Sequence, residues 1–145
     1  MMRLRTASIA VAFYLLAGCA STLSELCQAP PQRTATIVAE RSALVSCVIS
    51  GLSAAEPGTF LVRAGGLNYQ TEESTTRSEI TGYGPSASGG QSPYFILTLT
   101  TASPHVAIES RWNSRPYHLE SIDRQAWPII ERCAGSKVGT TPPLD

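Results

Sequence analysis

Four cysteines, two histidines and a few acidic and aromatic side chains hold the reactive groups of this 145-residue chain. The histidines, His105 and His118, stand in separate segments and in no metal-ligand spacing such as His-Glu-x-x-His. Nothing in that pattern aims two imidazoles at one ion, so no metal site is expected. The sequence has no Gly-x-Ser-x-Gly elbow, no Gly-x4-Gly-Lys loop and no Cys-x2-Cys pair, which leaves the common nucleophile and phosphate devices without a carrier. The serines between Ser86 and Ser92 could supply a nucleophile, but flexibility accounts for Ser and Gly there. Glu72, Glu73 and Glu79 could attract a cation; a solvated sheet edge is the plainer reading. Trp112, Tyr94 and Tyr117 could form an exposed aromatic patch, with core packing the expectation for large rings. The chain is therefore expected to have no catalytic residues and no cofactor, and not to be an enzyme.

Cys19 is different, because its neighbours define a chemistry. It comes after Arg3 and Arg5, an apolar run over 7–16 and the small residues Ala17 and Gly18, the three parts of a secretory signal. A membrane-spanning helix needs about 20 apolar residues, and this run has about a dozen. The stretch Leu16-Ala17-Gly18-Cys19 matches every position of a lipobox, and on those residues the chain resembles the bacterial lipoprotein family. The resemblance covers roughly the first 20 residues. It implies cleavage between Gly18 and Cys19, a diacylglyceryl group on the Cys19 thiol and acylation of the new amine. Each buried CH₂ contributes about 0.8 kcal/mol, so two or three acyl chains hold for practical purposes permanently. In that family an Asp after the lipidated Cys retains the protein at the inner membrane. Ala20 stands there instead, and the expected location is the outer membrane, facing the periplasm.

The full chain balances 11 basic against 11 acidic residues. Loss of Arg3 and Arg5 with the signal leaves 9 against those 11, a mildly acidic remainder without a basic footprint for nucleic acid. About 127 residues remain after the cut, enough for one core. The organisation expected is a signal peptide over 1–18, a lipidated tether over 19–36, an α+β domain over 37–135 and a polar tail over 136–145. Ser, Thr, Gln and Ala around Pro30-Pro31 read as an extended spacer, whose 17 or so residues would reach about 60 Å at most.

Within the domain, Leu44, Val48 and Leu52 recur at four-residue spacing, with Ala43 and Cys47 beside them, which predicts an amphipathic helix over 38–52. Pro57-Gly58 stops it. Short β-rich segments at 59–64 and 67–71 flank Gly65-Gly66 and read as a hairpin. A further strand is expected at 77–83, and 82–93 reads as a mobile loop. The strongest strand is 94–101, with Phe95, Leu97 and Leu99 on one face and Tyr94, Ile96 and Thr98 on the other. Its partner at 105–112 alternates Val106, Ile108 and Trp112 with Ala107, Glu109 and Arg111, the pattern of an antiparallel sheet with one wet side. Arg115-Pro116 interrupts it. A last helix over 119–134 turns Ile122, Ala126, Ile129, Ile130 and Cys133 inward and stops at Gly135; Pro128 is expected to kink or split it. The fold class is α+β, a small antiparallel sheet of about four strands packed with an N-terminal and a C-terminal helix.

Lipidation of Cys19 would leave Cys27, Cys47 and Cys133 in an oxidising compartment, room for one pair and one free thiol. Cys47 and Cys133 lie on the apolar stripes of the two helices, and their pairing is the expectation. The alternatives are Cys27 paired with either of them, or buried free thiols; a free Cys27 could also cross-link two molecules. The mature pattern resembles small disulfide-stapled envelope lipoproteins of unknown function. That resemblance is one of architecture and carries no functional residues. The leading expectation for function is a noncatalytic module anchored to the bilayer through acylated Cys19, which binds or helps assemble an envelope protein. An inhibitor or exclusion factor acting on an envelope enzyme or receptor is the alternative, with an unrecognised hydrolase behind it.

Overall fold

Antiparallel strand pairing sets the frame of the molecule. The computed structural model describes residues 22–54, 67–86, 88–113 and 120–135. In chain order these form α1 (Leu23–Gln28), β1 (Arg33–Val38), α2 (Arg41–Ala54), β2 (Asn68–Glu73), β3 (Arg77–Pro85), β4 (Gln91–Ala102), β5 (His105–Trp112) and α3 (Glu120–Ala134). The strands make one sheet in the order β1-β5-β4-β3-β2, with every pair antiparallel. The α+β architecture matches the sequence reading, with five strands in place of about four.

Strand alternation creates the main core. Phe95, Leu97 and Leu99 of β4, Val106 and Ile108 of β5, and Ala35 and Ile37 of β1 share one face of the sheet and are buried. The helices α2 and α3 cover that face with Leu44, Val45, Val48 and Leu52 and with Ala126, Trp127, Ile129 and Ile130. Each large side chain so buried contributes about 1.5–3 kcal/mol of transfer free energy. Trp112 and Tyr94 belong to this core, as expected for large rings, and the Tyr94 hydroxyl donates to the Pro85 carbonyl at 2.7 Å. Tyr117 lies outside the described residues.

The helix α2 begins three residues later than 38, because β1 runs to Val38 and Glu40 caps the first helical turn. Its carboxylate accepts from the backbone N–H of Ser42 at 3.0 Å and of Ala43 at 2.7 Å, two donors that the first turn cannot pair internally. Ala43 and Cys47, expected beside the buried stripe, are exposed. The helix α3 runs through Pro128 as one helix rather than two. Pro128 is on the exposed side of the helix, away from the core. Gly135 ends the helix at φ +69°, the left-handed conformation that glycine adopts without a Cβ clash.

Cys47 and Cys133 form a disulfide that joins α2 to α3, with a Cα–Cα separation of 5.8 Å. One turn further along α2, Gly51 lies against Ile129, and a Cβ there would meet the Ile129 side chain. The missing side chain lets the two helices approach closely.

The expected tether over 19–36 is largely structured. Thr22 and Glu25 make a capping box: the Glu25 N–H donates to Thr22 Oγ1 at 3.2 Å, and the Thr22 N–H donates to Glu25 Oε2 at 2.8 Å. That cap starts α1. The chain bends at Ala29 and at Gln32, on either side of Pro30-Pro31, and the alternation of Ala35 and Ile37 then places 33–38 in the sheet as its fifth strand. The helix α1 packs on β4 and β5 from the face opposite α2 and α3, and Leu26, Ile96 and Thr98 are all buried there. The face expected to be wet is thus partly covered. The predicted polar surface persists at the exposed ends of the strands and on β2, where Gln70, Thr71, Glu72 and Glu73 are all exposed.

The expected loop over 82–93 is shorter than its composition suggests. The ladder continues past a register shift at Gly82/Tyr83 to Gly84↔Ser92 and Pro85↔Gln91, so β3 and β4 form a hairpin. Gly89 and Gly90 turn it at φ of 84° and 85°. The signal segment and Cys19, the strand at 59–64, Gly65-Gly66, the Arg115-Pro116 step, His118 and the tail over 136–145 lie outside the described residues.

Candidate functional site

Two polar clusters stand out from the apolar framework, one inside the molecule and one at its surface. The inner one is centred on Asp123, which α3 holds against β5 and β1 and which is 4% exposed. Its Oδ1 accepts from Ser110 Oγ and from Trp127 Nε1, both at 2.7 Å. Its Oδ2 faces Arg33 Nη1 at 3.4 Å, and the Arg33 guanidinium stacks 4.5 Å from the centre of the Trp127 ring. The spacing from 123 to 127 is one helical turn, which puts acceptor and indole donor on the same face.

A serine bonded to a buried aspartate superficially suggests a nucleophile. Ser110 is fully buried, however, and its hydroxyl bonds the carboxylate directly, with no imidazole between them to accept and return a proton. His105 is exposed at the opposite end of β5. The arrangement instead ties the first residue of β1, the end of β5 and the start of α3 together. Burying one carboxylate is tolerable here because three donors surround it.

The surface cluster lies where α1 meets the β2–β3 hairpin. Cys27, Glu72, Glu73, Ser74, Arg77 and Glu79 line an open pocket of about 390 Å³. Arg77 pairs with Glu79 at 2.6 Å, and the Cys27 thiol points at Glu79 Oε1 over 3.9 Å. Burial, and then the Glu79 charge, push the Cys27 pKa up. The thiol is thereby kept protonated and is a poor nucleophile. Burial together with Glu72 and Glu79 raises Tyr83 in the same way. Across the hairpin, burial pushes the Tyr69 hydroxyl up to about 12, so it stays neutral. None of these groups is prepared for proton transfer near neutral pH.

The structure therefore brings together the expected pair Cys47 and Cys133 and joins them. It leaves Cys27 as the free cysteine among the described residues and keeps Glu72 and Glu73 exposed. Ser86 and Ser88 bond to each other at 2.9 Å in the hairpin turn. Among the described residues, no group of three His, Cys, Asp or Glu side chains could hold a metal ion, and no helix is long and apolar enough to cross a membrane. The sequence reading missed Arg33, Ser110 and Asp123. The Asp123–Trp127 spacing was the available signal. The chain matches no protein-family model and no curated protein sequence.

Proposed function

We propose that this protein is a lipid-anchored, noncatalytic module of the bacterial envelope that binds or helps assemble a partner protein from the periplasmic face of the outer membrane. The observation that carries this reading is the run Leu16-Ala17-Gly18-Cys19 placed directly after a charged and apolar leader. The folded part supports it in two ways. The disulfide suits an oxidising compartment outside the cytoplasm. Several of the described reactive groups are engaged in structure: Asp123 and Ser110 in the inner tie, Cys27 as a protonated thiol beside Glu79.

Anchoring also suits binding better than turnover of a diffusing substrate. Confinement to a thin layer raises the effective concentration of the domain toward other envelope proteins. The test is cross-linking in intact envelopes, wild type against Cys19→Ala, with quantitative mass spectrometry of the adducts. A stoichiometric protein adduct that disappears with the anchor is the expected result. An adduct of equal yield without the anchor, together with activity lost on changing His105 and His118 to Ala, would replace the binding reading with a catalytic one.

A further inference from the structure

The folded domain begins very near the lipobox cysteine. Thr22 is the N-cap of α1, and only Ala20 and Ser21 separate it from Cys19. Three Cα steps reach about 11 Å when fully extended. A spacer of 17 or so residues would have allowed about 60 Å. The helix α1 is not free to swing on that short lead, because it is fastened to the sheet. Leu26 is buried against it, the Arg111 Nε–H donates to the Ala29 carbonyl at 2.8 Å, and the Gln32 side chain bonds both the N–H and the carbonyl of Trp112, at 3.0 and 2.8 Å.

We propose that the α1-bearing face of the sheet lies against the lipid headgroups, and that the α2–α3 face points away from the membrane. This rests on lipidation of Cys19. The occupant of the α1 face is the bilayer that holds the anchor, and the contact is imposed by the covalent lead rather than by charge. Glu25 is on the exposed side of α1, and the adjoining surface carries Glu72, Glu73 and Glu79 against Arg77, a poor match for an anionic leaflet. The domain therefore rests at the headgroup level without inserting.

The test compares thiol accessibility on the two faces of the full, lipidated chain. In a Cys27→Ser background, single cysteines are placed at Ser24→Cys on α1 and Ser50→Cys on α2, both exposed positions. Each protein is reconstituted into phosphatidylethanolamine–phosphatidylglycerol vesicles and treated from outside with a maleimide-linked polymer, with detergent-solubilised protein as reference. A polymer wider than the gap of about 11 Å should modify Ser24→Cys about ten times more slowly on vesicles than in detergent and Ser50→Cys at the same rate in both. Inserting a long Gly-Ser segment between Ser21 and Thr22 should abolish the difference, and raising the salt concentration should not. Equal rates at Ser24→Cys on vesicles and in detergent, with the lipid label present, would overturn the orientation while leaving the anchor intact. Absence of lipid from Cys19 would remove the premise, and with it both the orientation and the anchor.

Discussion

Removing the Cys47–Cys133 bond by the double change Cys47→Ser and Cys133→Ser should destabilise the domain through its unfolded state. The bond closes a loop of 86 residue steps. For that length the loop-entropy relation gives about 4.6 kcal/mol at 25 °C. The native state loses little beyond this, since Cys47 is exposed and Cys133 half-buried, so their packing is a minor part of the core. Residual structure in the reduced unfolded chain lowers the figure, and about 3–4.5 kcal/mol is the expected loss. For a domain of roughly 100 residues this corresponds to a fall in Tm of about 15–20 °C. The assay is urea and thermal unfolding of the untethered domain, oxidised wild type against the double variant. Non-reducing peptide mapping of the wild type should recover a Cys47–Cys133 peptide. A loss below about 1 kcal/mol with the bond confirmed in the wild type would refute the loop-closure reasoning.

Three further substitutions are read by the same unfolding assay. Asp123→Ala should cost about 2–5 kcal/mol, because it strands the Ser110 hydroxyl and the Trp127 N–H in the interior, whereas Asp123→Asn should recover only part of that, since its Oδ1 can accept both bonds while its NH2 group meets the Arg33 guanidinium donor against donor. Gly51→Ala should destabilise by about 1–3 kcal/mol even though Ala favours helix, since the new methyl meets the stiff, branched Ile129, and Ile129→Ala in the same chain should relieve part of the cost. Glu40 is held below its usual pKa chiefly by the backbone N–H groups of Ser42 and Ala43. A carboxylate depressed in the folded state stabilises above its unfolded pKa, and the effect drains away as pH falls through the folded value. Glu40→Gln should therefore be less stable than wild type at neutral pH, with the gap closing in acid.

The parts of the fold that were legible in the sequence are those with a strong period. The alternation in 94–101 and 105–112 placed β4 and β5, and the four-residue recurrence of Leu44, Val48 and Leu52 placed α2. The two helical stripes also led to the disulfide, although Cys47 is on the flank of its stripe. What was missed lay under misleading composition. Thr22 and Glu25 form a capping box inside a stretch that reads as a polar spacer, and Pro30-Pro31 concealed a strand starting at Arg33. The supposed loop at 82–93 is mostly hairpin, because backbone pairing across Gly84 and Pro85 needs no apolar side chains. The tie at Asp123 was hidden for a different reason. It joins Arg33, Ser110 and Asp123 from three separate elements, and only its Asp123–Trp127 part is local in sequence.

Whether Cys19 carries the anchor is decided by the mass of the N-terminal peptide of the protein isolated from envelope membranes. The expected peptide begins at Cys19, with a diacylglyceryl group on its sulfur and a third acyl chain on its amine, and it is lost in Cys19→Ser. A mature chain beginning elsewhere, or a Cys19 peptide of unmodified mass, would contradict the lipid anchor and the envelope role built on it.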